Sequence, residues 1–258
     1  MKNGYWVIRT YEAGSVGEKI KFWVDSPNGV RPKLTKKQKS DLKKQMQNEA
    51  SAERQVARLI NGTFGQGDYL LGLDYSSEGM DKLYVTGEAL EYDMHSSDET
   101  YRMEAIRAAA EKELRLFLKR VRRELEKTNM PFQYIAITSD MDGATGESVR
   151  IHHHLLIKKA ALDACMKKWP YGGVDYSPLS NQADFTPIAK YLMDQVRKIP
   201  DAKKYIPSRN LIRPEPRDRI VHSAAEVRVP RGGTLLHRNE FKPGRPQYIR
   251  FILPFERE

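Results

Sequence analysis

Residues 4–11 and 18–24 alternate apolar and polar side chains with the two-residue period of a strand, on either side of Ala13-Gly14-Ser15. That pattern predicts a hairpin. Pro27, Asn28, Gly29 and Pro32 break it, and the sequence from Lys33 to Ile60 is polar and helix-forming. Asp68–Tyr75 reads as a buried strand entered through the turn Gly65-Gln66-Gly67. After a polar stretch around His95, Ser96 and Glu99 form a capping-box pattern. Behind it Ile106, Ala110, Leu114, Leu118, Val121 and Leu125 recur every three or four residues, the signature of a helix with one buried stripe. Pro131 ends that helix.

Strands are predicted over Phe132–Thr138 and Val149–Lys158, joined by a turn through Asp140-Met141-Asp142-Gly143. A short helix follows near Leu162–Lys168. Thr186-Pro187, an N-cap with a first-turn proline, opens another that runs to about Lys198. Short strands are expected near Glu226–Val229, Leu235–His237 and Gln247–Leu253. This order argues for an α+β fold with a mainly antiparallel sheet flanked by helices. Three parts are expected: an N-terminal hairpin with a basic helical arm over 1–60, a central domain over 61–213, and a β-rich C-terminal extension over 214–258.

Charge narrows the partners. The chain has 44 basic and 34 acidic residues, a formal net charge of +10, which favours polyanions such as nucleic acid. Lys36, Lys37, Lys39, Lys43 and Lys44 crowd the first predicted helix, either as a solvated face or as an arm that tracks phosphates. Cys165 is the only cysteine, so an internal disulfide and a multi-cysteine zinc site are both excluded. No apolar run approaches the roughly 18 residues a membrane helix needs, and Met1–Tyr5 shows no secretory signal. A cytoplasmic protein without membrane contact is the expectation.

Arg150-Ile151-His152-His153-His154-Leu155-Leu156 carries the most chemistry. Strand alternation puts Val149, Ile151, His153, Leu155 and Ile157 on one apolar face. His152 and His154 leave from the other, about 7 Å apart along the strand. Two imidazoles there could converge on one cation, whereas His153 is expected to pack. A carboxylate is the expected third ligand, which leaves positions open for a substrate oxygen and water. Asp140, at the end of the preceding strand, is preferred over Glu147 in the connecting turn, because a strand end holds a ligand more rigidly.

In the helix that starts at Pro187, Ile188, Leu192, Val196 and Ile199 form the buried stripe and Tyr191 falls at its edge. Its ring could cap the core, or its phenol could act as a nucleophile held by packing yet open to solvent. Lys190 and Lys198 could hold a scissile phosphate or ease loss of the phenolic proton.

Taken in order, these elements resemble the HUH endonucleases, and more closely the rolling-circle replication initiators of bacterial plasmids, integrative elements and small phages. The resemblance covers about residues 58–214. It runs from Asn61–Tyr69 through Tyr134–Thr138, the His152-His153-His154 strand and Trp169 with Gly172. It ends on Ala189-Lys190-Tyr191-Leu192 and Ser208-Arg209-Asn210-Leu211. It implies a ferredoxin- or palm-like core and a divalent metal, Mg²⁺ or Mn²⁺, held by His152, His154 and a third acidic ligand. It implies that Tyr191 attacks a DNA phosphate, leaving a free 3′-hydroxyl and a 5′-phosphotyrosine link. The implied substrate is single-stranded or hairpin origin DNA, with a host helicase and polymerase as partners in a bacterial cytoplasm. Lys203, Lys204, Ser208, Arg209 and Asn210, just beyond the tyrosine helix, are the expected DNA contacts.

The sequence departs from the family's pattern in two places. Asp140 stands where Glu is frequent, and Asp194-Gln195 follows the tyrosine where Lys-Glu is usual. Use of the same chemistry in a relaxase or a transposase is the first alternative, and a non-catalytic DNA-binding protein is the second.

Overall fold

In the computed structural model, which describes residues 4–25, 41–85, 99–196, 204–222, 225–240 and 245–254, the chain divides into two units. One comprises Met1–Thr63, Gln182–Ala189 and Ile212–Glu258, and the other Phe64–Asn181 and Lys190–Leu211. The elements in chain order begin with β1 (Gly4–Ala13), β2 (Val16–Asp25), α1 (Asp41–Thr63), β3 (Tyr69–Asp74) and α2 (Ser77–Val85). Next come α3 (Glu99–Glu126), β4 (Tyr134–Met141), β5 (Ser148–Ile157), α4 (Leu162–Lys168) and β6 (Val174–Pro178). The last are α5 (Thr186–Asp194), β7 (Ile206–Pro207), β8 (Arg217–Val221), β9 (Thr234–Arg238) and β10 (Gln247–Ile252). The fold is α+β with two antiparallel sheets. Lys36, Lys37, Lys39, Ser96, Lys198 and Lys203 lie outside the described residues.

The first unit joins the two chain ends. The expected hairpin forms around Gly14, which takes the left-handed φ of 57° that glycine tolerates. The strands expected as a separate C-terminal extension pair with that hairpin, in the order β8-β1-β2-β10-β9. On one face Arg58 of α1 meets Glu18 at 2.7 Å and stacks over Tyr11. On the other, Lys19 and Lys21 donate to the carbonyls of Arg228 and Ala225, and Val227 packs on Ile249 and Phe251. The strand expected near Glu226–Val229 is therefore a strap. The Val227 N–H goes to the Gln247 side chain instead of a ladder partner.

The second unit has the order β6-β3-β5-β4-β7, with the histidine strand in the middle. The α3 stripe of Ile106, Ala110, Leu114, Leu118, Val121 and Leu125 is buried in one core with Leu71, Leu73, Ile151, Leu155 and Ile157. Fully burying such side chains stabilises by about 1.5–3 kcal/mol each. His153 lies inside this core, with Nε2 2.8 Å from the Tyr75 hydroxyl and Nδ1 3.0 Å from Thr138 Oγ1. Burial pushes its pKa down to about 3, so it stays neutral and packs, as expected.

Asp68 closes the start of β3 by accepting from the Gly65 and Lys159 amides and the Lys158 ammonium. The helix α2 was not expected. Ser76 caps it by accepting from the Gly79 N–H, and a Cβ on Gly79 would lie 1.9 Å from the Tyr171 carbonyl oxygen. A glycine in a nine-residue helix weakens the local signal, and the contact that requires it is distant in sequence.

Charge divides along the same line. The first unit holds 23 of the 44 basic residues and 13 of the 34 acidic ones, so the whole +10 resides there. The second is balanced, with 21 of each. Among the described residues no helix is long and apolar enough to cross a membrane.

The buried hydrogen bonds of His153 lead to a stability prediction. His153→Leu leaves the Tyr75 and Thr138 hydroxyls without their imidazole and is expected to cost on the order of 2–4 kcal/mol, read from urea unfolding. An unchanged unfolding midpoint would show that both hydroxyls find other partners.

Candidate active site

The face of β5 opposite α3 carries His152 and His154. Cross-strand register adds Ile137 and Ser139 from β4 and Gly72 and Asp74 from β3. His152 Nδ1 lies 2.9 Å from the Arg150 carbonyl oxygen. A carbonyl only accepts, so Nδ1 carries the proton and Nε2 presents its lone pair. His154 Nε2 is 3.1 Å from that nitrogen and 2.6 Å from Gln195 Oε1. Burial lowers the His154 pKa, and the nearby His152 lowers it further. The Gln195 hydrogen bond and the Asp74 charge pull the other way. Burial and His152 together favour the neutral ring, whose Nε2 faces both His152 Nε2 and Gln195 Oε1.

Gln195 follows the last residue of α5, and its own carbonyl accepts the Ser139 hydroxyl at 3.0 Å. Ser139 is fully buried and pairs with His152 across the sheet, so one strand positions both groups. One helical turn before Gln195, Tyr191 sets its ring edge-on to His154 with centroids 5.5 Å apart. The ring is 48% exposed, so it is packed and accessible at once. His152, Tyr191 and Gln195 line an open cleft of about 630 Å³ with Arg150, Asp194 and the loop from Met141 to Ala144.

Asp140 is not brought to the histidine pair. Alternation along β4 turns Thr138 and Asp140 to the side of His153, where Arg107 binds the Asp140 carboxylate at 2.9 Å and the Thr138 carbonyl at 3.1 Å. Glu147 stays exposed in the connecting turn. Among the described residues, no three His, Cys, Asp or Glu side chains are grouped to hold a metal. The polar atom that the structure does bring to the pair is the amide oxygen of Gln195.

Lys190 pairs with Asp194 on the surface of α5, and the structure does not group it with the histidines. Ser208 is buried, and its hydroxyl accepts the Tyr134 N–H, so it ties β4 to the following segment. Arg209 and Asn210 are exposed, the Asn210 carbonyl accepting from Gln133, and Lys204 is half-buried. Lys127, Lys167 and Lys168 gather on Glu124, which they hold at a pKa of about 2, so part of the basic end of α3 is already neutralised.

The chain matches no protein-family model, no curated protein and no solved structure.

Three residues of the cluster were missed in the sequence. Gln195 follows Tyr191 by four residues, a spacing that puts both on one side of a helix, but glutamine is a common surface residue and gave no signal. Ser139 and Asp74 become visible only through sheet register. Asp74 is fixed through its backbone, its N–H donating to Gly173 and its carbonyl accepting from the Trp169 indole. A Cβ on Gly172 would lie 2.3 Å from that carbonyl oxygen, which is why a glycine stands there.

Two imidazole nitrogens and an amide oxygen, converging with one side open, suit a divalent ion that keeps sites for substrate oxygen and water. Two ligands at right angles and about 2.1 Å from a cation are about 3 Å apart, close to the 3.1 Å between the two Nε2 atoms. Gln195→Ala is expected to weaken Mn²⁺ affinity by about 10-fold or more, measured from the electron paramagnetic resonance signal of the free ion. Asp140→Asn should leave that affinity near the parent value. The opposite ranking would return Asp140 to the site.

Proposed function

We propose that this chain is a DNA endonuclease that nicks one strand through Tyr191 and initiates rolling-circle replication at an origin. The observation that carries the reading is the convergence of His152 Nε2, His154 Nε2 and Gln195 Oε1 beside the accessible ring of Tyr191. Those three atoms would hold a divalent ion, Mg²⁺ or Mn²⁺, which would supply electrostatic stabilisation of charge on the phosphoryl oxygens.

The chain's own residues do the rest. Packing against His154 limits the Tyr191 ring to a narrow set of positions, which lowers the entropic cost of attack. Its phenolic oxygen forms a bond to phosphorus, and the bond from phosphorus to O3′ breaks. The phenol gives up a proton and O3′ gains one, so no oxidant or nucleotide cofactor is needed. The product is a 5′-phosphotyrosine and a free 3′-hydroxyl that a host polymerase can extend after a helicase opens the duplex. The cleft lies open to solvent and suits an unpaired strand, as a single-stranded or hairpin origin provides. A relaxase or transposase would run the same step and differ in the DNA it selects.

Tyr191→Phe tests this. A pool of 3′-labelled single-stranded oligonucleotides with a randomised core, incubated with the parent chain and Mn²⁺, should give a denaturant-resistant labelled adduct. The variant removes one oxygen and leaves the packed ring, so it should fold and bind the pool as before while forming no adduct. Peptide mapping should place the label on Lys190-Tyr191-Leu192. Intact DNA binding by the parent chain with no adduct under any metal would mark a non-catalytic binding protein.

A further inference from the structure

The cleft contains a cation that the sequence pattern did not single out. Arg150 precedes His152 by two residues on β5 and so leaves the strand on the same face. It is exposed, and it lines the cleft together with His152 and Tyr191. The two carboxylates that line the same cleft have partners of their own. Asp142 accepts the amides of Ala144 and Thr145 at 2.7 and 2.8 Å, and Asp194 is bound to Lys190. Among the described residues no carboxylate meets the Arg150 guanidinium. Its backbone is fixed, because its carbonyl is the group that orients His152. A charged side chain anchored at its base, unpaired at its tip and directed into a cleft beside a nucleophile is placed for an anionic ligand.

We propose that Arg150 grips the scissile phosphate and stabilises the charge that builds on it during attack. This rests on the reading of the cleft as a site of phosphodiester cleavage. As the Tyr191 oxygen bonds to phosphorus and the O3′ bond breaks, negative charge spreads over the non-bridging oxygens. A guanidinium offers paired N–H donors in a plane that matches two of those oxygens, which an ammonium cannot do. Lys190, the cation beside Tyr191 in sequence, is already held by Asp194, so Arg150 takes the role that the sequence suggested for lysine.

The test uses the full chain, Mn²⁺ and the 3′-labelled randomised oligonucleotide pool. Arg150→Ala should form the tyrosine adduct about 10²–10³-fold more slowly, with unchanged affinity for Mn²⁺ alone, since the carbonyl that orients His152 remains. Added guanidinium chloride at a sub-denaturing concentration should restore part of the rate, and Arg150→Lys should fall between Ala and the parent. A parent-like rate in Arg150→Ala, while Tyr191→Phe still gives no adduct, would overturn the role of Arg150 and leave the endonuclease reading standing. A slow variant with weakened Mn²⁺ binding and no response to guanidinium would also overturn it, in favour of a structural part. Failure of the parent chain to form any adduct would overturn both.

Discussion

Successive side chains of a strand point to opposite sides of its sheet, and in β5 that geometric fact separates three consecutive histidines into two kinds of group. His153 turns towards α3 and is locked between two hydroxyls inside the core. His152 and His154 turn the other way and meet Gln195 and Tyr191. A slip of one residue in register would bury the pair and expose the packing histidine. The alternating apolar residues Ile151, Leu155 and Ile157, all buried against α3, fix that register. The core thus holds the chemical face in place.

The same logic runs through the neighbouring strands. In β4, Thr138 supports His153 on one side while Ser139 anchors Gln195 on the other. Asp140 then falls back to the helix side and pairs with Arg107. The cluster is therefore assembled from strand ends and a helix end, each positioned by a hydrogen bond made through another of its atoms. His152 is set by a carbonyl, Gln195 by a hydroxyl, and Asp74 by the indole and amide contacts of its backbone.

Much of this was legible in the sequence where periodicity is strong. The α3 stripe, the β4 and β5 strands, the short helix α4 and the opposed directions of the histidines all followed from spacing. So did Tyr191 at the edge of a buried stripe. The place of Gln195 beside the histidines did not follow, because the expectation rested on charge and on strand adjacency, and alternation along β4 directs Asp140 to Arg107. A neutral amide at the end of α5 carries no compositional signal. The first unit was legible only in pieces, since pairing of β1 with β8 and of β2 with β10 joins strands some two hundred residues apart. Nothing in a local pattern reports such a partner. The strap around Val227 looked like a strand because it is apolar on alternate positions, and its N–H goes to a side chain instead.

The division of charge bears on how such a protein would respond to its medium. The unit with the histidine cluster is electrically balanced, and the other bears the full +10. Mobile ions screen a surface field over about 8–10 Å at ordinary ionic strength. They act far less on short, buried contacts such as those joining His154 to Gln195. Attraction of an anionic partner to the first unit would accordingly be far more sensitive to electrolyte than the contacts that hold the cluster together.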